Sequence, residues 1–165
     1  MVFRYYGYKV PQAQIVKETW GSIVDMPGFP AQIMANLNRE WKDEDGGRFR
    51  SFGDASTASV SNIVDDLTHD RPLIIGALGH AVVLTALTTN INKYANEWDV
   101  FSATVRDPWP GIGKRNLSPA EWRNISFAAR VVVLGNSNST RLLGNRVEGR
   151  LVRLTVGMDA VPEQS

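Results

Sequence analysis

The chain has 165 residues, 43% of them apolar, and a net charge of +1 from 18 Lys and Arg against 17 Asp and Glu. That length fits one domain with a real core, and the balanced charge, with no basic stripe or aromatic-interleaved patch, argues against a nucleic-acid partner. There is no cysteine, which excludes disulfides, thiolate metal sites and a cysteine nucleophile within these residues.

No apolar run approaches the roughly 20 residues of a membrane span. Met1 to Tyr6 lacks the basic, apolar, small-residue order of a signal peptide. Neither observation fixes a compartment.

Met1 to Tyr6 is apolar and aromatic and runs into Gly7, the pattern of a last helical turn with a glycine stop. A helix of about six residues is marginal alone, so the chain reads as beginning in mid-element. Pro11 to Trp20 predicts a helix with Ile15, Val16, Thr19 and Trp20 on one face. Gly21 to Phe29 reads as a loop. Pro30 to Trp41 predicts a second helix with Ile33, Met34, Leu37 and Trp41 as its buried stripe. Lys42 to Asp54 reads as a polar loop. Its Asp43-Glu44-Asp45 cluster lacks the ligand spacing of a calcium site and reads as solvated. Thr57 to Leu67 predicts a third helix, with Val60, Ile63, Val64 and Leu67 at spacing i, i+3, i+4, i+7.

Three short runs rich in β-branched residues follow: Leu73 to Ala77, Ala81 to Leu87 and Val100 to Val105. All three predict strands, with Thr88 to Glu97 as the hairpin loop between the last two. Ser118 and Glu121 form a capping-box pattern with Pro119 at the first helical position, so a short helix should start there. Phe127 to Leu134 and Leu151 to Val156 predict two more strands, separated by the turn-forming Gly135-Asn136-Ser137-Asn138-Ser139. Helices first and strands after is the α+β pattern. Short connections make the sheet mainly antiparallel, with the N-terminal helices packed on it. The expected organisation is one domain over 1–157 and a tail over 158–165.

Two residues stand out for chemistry. His80 opens the second strand, and Asp107 follows the third. They are 27 positions apart, but antiparallel pairing makes the start of one strand the neighbour of the end of the other. A carboxylate beside an imidazole fixes its tautomer and stabilises the imidazolium, as a general base requires. The competing reading is a structural histidine and an Asp-Pro turn. Trp98 and Trp109 flank the acid-bearing strand and read as packing residues rather than substrate contacts. Two histidines cannot build an all-His zinc site. A mixed one would have to combine His69 or His80 with Asp65, Asp66 or Asp70, short of the donors closed zinc sites usually draw on. No metal or cofactor is expected. A Ser-His-Asp hydrolase lacks its Gly-x-Ser-x-Gly elbow, since the stretch around Ser137 fails at the last position. The Asn-x-Ser/Thr matches at Asn116, Asn124 and Asn138 read as chance.

Three stretches together resemble a known family. They are Val2 to Val16; Arg71-Pro72-Leu73-Ile74-Ile75-Gly76 running into Gly79-His80-Ala81-Val82-Val83-Leu84-Thr85; and Val105-Arg106-Asp107-Pro108-Trp109-Pro110-Gly111 followed by Leu117-Ser118. Their order and spacing resemble the bacterial papain-like cysteine peptidases, the group of bacteriocin-leader peptidases and effector proteases, over roughly Val2 to Glu121. The resemblance implies a papain-like fold, peptide-bond hydrolysis of a peptide or protein substrate, His80 as general base and Asp107 as its orienting partner. It also implies a nucleophilic cysteine at a helix N-terminus and an upstream glutamine for the oxyanion hole. Both would lie before Met1, because the resemblance enters that helix near its end. Two accounts stay open: an enzyme begun at an internal methionine, or a natural domain keeping the fold without the chemistry. The position of Met1 inside a helix favours the first. Under either, these residues alone have no cysteine-peptidase activity.

Overall fold

The computed structural model describes residues 1–26, 28–55, 58–92, 97–135 and 153–155. Among them the chain forms five helices and eight strands: α1 (Val2–Tyr5), α2 (Gln12–Trp20), α3 (Pro30–Leu37), β1 (Glu40–Lys42), β2 (Arg48–Ala55), α4 (Val60–Thr68), β3 (Leu73–Ala77), β4 (His80–Asn92), β5 (Glu97–Asp107), β6 (Gly113–Asn116), α5 (Pro119–Arg123), β7 (Ile125–Gly135) and β8 (Arg153–Thr155). The α+β class expected from the sequence is what the chain adopts. Seven strands form one antiparallel sheet in the order β1-β2-β7-β3-β4-β5-β6, and β8 lies parallel to β4 at Thr88 to Asn90.

Local sequence sets the ends of these elements. Gly7, at φ 86°, lets the Gly7 and Tyr8 amides turn back onto the Arg4 and Phe3 carbonyls at 3.0 and 2.9 Å. That pair of bonds is a Schellman stop. Gly21, at φ 77°, ends α2 in the left-handed region. The Ser59 hydroxyl caps α4 by accepting from the Asn62 amide. The Ser118–Glu121 capping box forms as the sequence predicts, with Pro119 at the first turn.

The sheet is apolar on both faces. One core joins Ile63, Val64 and Leu67 of α4 to Leu73, Ile75, Val82, Leu84 and Val105. The other joins Val2 and Phe3 of α1 and Leu37 of α3 to Trp41, Phe49, Val83, Ala129 and Val131. Alternation along β3 and β4 sends successive side chains to opposite cores. α1 is four residues long, so its place depends on burying Val2 and Phe3 rather than on helix propensity.

Several sequence expectations need correction. The second helix ends at Leu37, not Trp41. The Asn38 side chain leaves the helix, donating to the Met34 and Gly53 carbonyls and accepting from the Gly53 amide. Trp41 is buried from β1 instead, because helical spacing and a strand both bring it to the same core. The region Lys42 to Asp54 is a hairpin rather than a loop, and Arg48-Phe49-Arg50-Ser51 alternates exposed and buried as a strand should. Asp43 is buried, not solvated: its carboxylate accepts from the Gly47 amide at 2.7 Å and closes the β1–β2 turn. β4 and β5 run on to Asn92 and from Glu97, so most of the expected loop between them is strand. The helix expected from Thr57 begins at Val60. The turn from Asn136 onward, the 158–165 tail and the Asn138 match lie outside the described residues.

Candidate functional site

The β3–β4 turn places His80. Leu78 and Gly79 form a two-residue loop with φ of 50° and 80°, closed by the Ala77–His80 pair. Positive φ at both positions is the signature of the tight hairpin turn that matches strand twist. His80 is therefore the first residue of β4, with its ring half exposed. Asp107 is the last residue of β5 and is 5% exposed. The β4–β5 register pairs Val83 with Arg106, so Asp107 continues opposite Val82. His80 is its diagonal neighbour two positions on, within reach across an antiparallel pair.

The two side chains meet. His80 Nε2 lies 2.7 Å from Asp107 Oδ1. The same oxygen accepts from the Trp109 amide at 2.9 Å, and Oδ2 accepts from Arg115 Nε at 2.9 Å. Burial pushes the Asp107 carboxyl up, but these bonds from the Trp109 amide, His80 and Arg115 favour the charged form more and hold it at about 2. Asp107 is thus a carboxylate at any physiological pH. Facing it, the imidazole carries its proton on Nε2, which leaves Nδ1 as the nitrogen able to take a proton. No protein hydrogen bond to His80 Nδ1 occurs among the described residues.

The network continues outward. Arg115 also donates to Glu121, at 3.0 Å from Nη1 to Oε2 and 2.7 Å from Nη2 to Oε1, and from Nη1 to the Asn116 carbonyl at 3.3 Å. Glu121 also accepts from the Ser118 amide at 2.8 Å. Arg115 first, and then the Ser118 amide, hold the Glu121 carboxyl down at about 2, while Glu121 and Asp107 raise Arg115 further. Sequence reasoning read Glu121 only as a helix cap and missed Arg115. The only sequence signal was position, since β6 pairs Val105 with Arg115 next to the end of β5.

Trp109 is not a packing residue. Flanked by Pro108 and Pro110, and with its amide tied to Asp107, it projects 67% exposed. Its ring stands edge-on to the His80 ring, centroids 6.4 Å apart. Trp98 does pack against the core, half-buried.

The residues weighed for a mixed metal site do not gather. His69 sits at the end of α4 with Asp65, before β3, while His80 lies past the other end of that strand. Asp66 is fully buried against Arg71 and Arg130 instead. Among the described residues no group of three His, Asp or Glu side chains is placed to hold a metal ion. No helix among them is long and apolar enough to cross a membrane.

The fold is thus a two-sided α+β sheet with a His–carboxylate pair at adjoining strand ends. The chain belongs to the Peptidase_C39 like family, whose model matches residues 1–130. That stretch contains both members of the pair and the whole Arg115–Glu121 extension. No curated protein and no solved structure matches the chain. The peptidase family carries with it the binding of a peptide substrate, and the 165 residues contain no cysteine to act as nucleophile.

Proposed function

We propose that the domain is papain-like and supplies the general-base half of a cysteine peptidase, with His80 as base and Asp107 as its orienting acid. The observation that carries this reading is the bond from His80 Nε2 to an Asp107 that is ionised at physiological pH, which leaves Nδ1 for the proton transfer. α1, which the resemblance makes the end of the nucleophile helix, packs in the same core as Val83, on the strand that begins with His80. With a thiol supplied from outside these residues, Nδ1 accepts the thiol proton and the thiolate adds to the scissile carbonyl carbon. The imidazolium then protonates the departing amine. Water, losing a proton to Nδ1, hydrolyses the thioester and regenerates the thiol. The 165 residues by themselves bind and orient but do not cleave.

A second reading is favoured by the absence of cysteine: a non-catalytic module that holds a peptide or protein segment on the same fold. The reading frame upstream of Met1 separates the two. For the first, an in-frame cysteine ahead of α1 is expected, with the longer chain hydrolysing peptides in a thiol-dependent way and losing that activity in His80→Ala. A stop codon directly upstream, or a longer chain without cysteine, assigns the domain to the second.

A further inference from the structure

We propose that Leu78, Trp109 and Ile112 form an apolar rim beside His80 that takes a large apolar side chain of the bound peptide, close to the peptide bond presented to the site. This rests on the reading of the domain as one that binds peptides. The rim is built from two turns at one end of the sheet. β3 returns into β4 through Leu78 and Gly79, and β5 returns into β6 through Pro108 to Ile112. Because β4 and β5 are paired neighbours, the two turns stand side by side. His80 opens β4 directly after the first turn, and the Trp109 ring of the second meets it edge-on.

Leu78 is the unusual member. It holds φ at 50° before Gly79 at 80°, in a turn that favours Asn-Gly and strains a leucine. Packing does not offset the strain, since the side chain is 62% exposed and belongs to neither core. A strained position that exposes an apolar side chain beside a His–carboxylate pair points to a contact made with another molecule. Trp109 and Ile112 expose apolar surface in the same way. Both are held locally, the Trp109 amide by Asp107 Oδ1 and the Ile112 amide by the Trp109 carbonyl at 3.1 Å. The rim is therefore preformed, and little order is lost when a peptide binds.

The nearby charges select against polar occupants. Ala77 to Gly79 and Pro108 to Ile112 contain no charged residue. Asp107, Arg115 and Glu121 are bound to one another. Arg106 and Lys114 are partners one position out of phase with Asp107, on the other face of the sheet. A charged side chain placed on the rim loses water and finds no partner, whereas an apolar one removes area from water on both sides.

The test is a titration of the 165-residue chain, followed by NMR at the Leu78 methyl groups and the Trp109 indole N–H. The probes are short blocked alanine peptides that differ only in a central leucine, phenylalanine, alanine, aspartate or lysine. The leucine and phenylalanine peptides are expected to shift both signals and to bind about fivefold more tightly than the other three. Leu78→Asn relieves the turn, and should fold and weaken the leucine peptide about fivefold. Leu78→Met keeps the apolar surface and should keep the affinity. Should Leu78→Asn fail to fold, Ile112→Ser decides from the second turn, an unchanged affinity overturning the proposal. If all five peptides bind alike, or if Leu78→Asn binds the leucine peptide as wild type does, peptide binding stands and the rim is overturned. If no peptide shifts the two signals, the rim is overturned as well. Binding of the leucine peptide that depends on Leu78, with no hydrolysis by a longer chain carrying a cysteine, leaves the rim standing and removes the peptidase reading.

Discussion

Gly53 on β2 and Leu37 on α3 touch so closely that a Cβ on Gly53 would stand 2.5 Å from the Leu37 Cβ. Asn38 bonds both the amide and the carbonyl of Gly53, so the helix has no room to lift away. Gly53→Ala should cost about 2 kcal/mol through overpacking. Urea unfolding measures it, and an unchanged midpoint would show that α3 is not seated on β2 this way.

The acid side of the stability profile should report the Asp107–Arg115–Glu121 network. A carboxyl whose folded pKa is depressed stabilises the fold above its unfolded pKa, and that contribution disappears as pH falls through the folded value. Asp107 and Glu121 are both held at about 2, so the loss falls between roughly pH 4.5 and 2. Thermal melts across this range should show the wild type losing about 2 kcal/mol more than the Asp107→Asn, Glu121→Gln double variant. The double variant should be the less stable at pH 7, and the two curves should converge near the acid end. Parallel curves would count against this network.

Leu78 holds φ at 50° in the turn before His80 while 62% exposed. A γ-branched side chain gains little there, and the left-handed region favours Asn or Gly. Leu78→Asn should therefore stabilise the chain by about 0.5 kcal/mol, read as a higher melting temperature. A lower melting temperature would mean that the exposed leucine has a contact of its own.

Asp66 is fully buried, with Arg71 Nε at 3.2 Å and Arg130 Nε at 2.5 Å. It ties α4 to the approach to β3 and to β7. Asp66→Ala leaves two cations facing a cavity and should cost about 3 kcal/mol, the lower end for a broken buried pair, because both arginines reach partly into solvent. Chemical denaturation checks it. A loss below about 1 kcal/mol, the range of exposed pairs, would place the triad in the solvent-screened class.

The helices around α4 and the strands β3 to β5 follow from local pattern, because Ile63, Val64 and Leu67 repeat at one period and Leu73, Ile75, Val82 and Leu84 at another. β2 escaped because Asp43, Gly46 and Gly47 make the region look like one polar loop, while its alternation spans only a few residues before Gly53. The His80–Asp107 contact was readable because a hairpin turns 27 positions of sequence into one step across a sheet. Arg115 was not readable that way. Its partners, Asp107 and Glu121, lie on two other elements, and which guanidinium edge each receives depends on the β5–β6 register, which no periodicity encodes.

β4 is served by different neighbours along its length. β3 pairs with it only from His80 to Leu84, and β8 takes up Thr88 to Asn90 on a segment of chain beyond the family's span of 1–130. A chain cut back to that span would leave one edge of β4 at Thr88 to Asn90 without its β8 partner, a template on which a second molecule could zip. The boundary that a family comparison draws is therefore not the boundary at which this sheet stops being sticky.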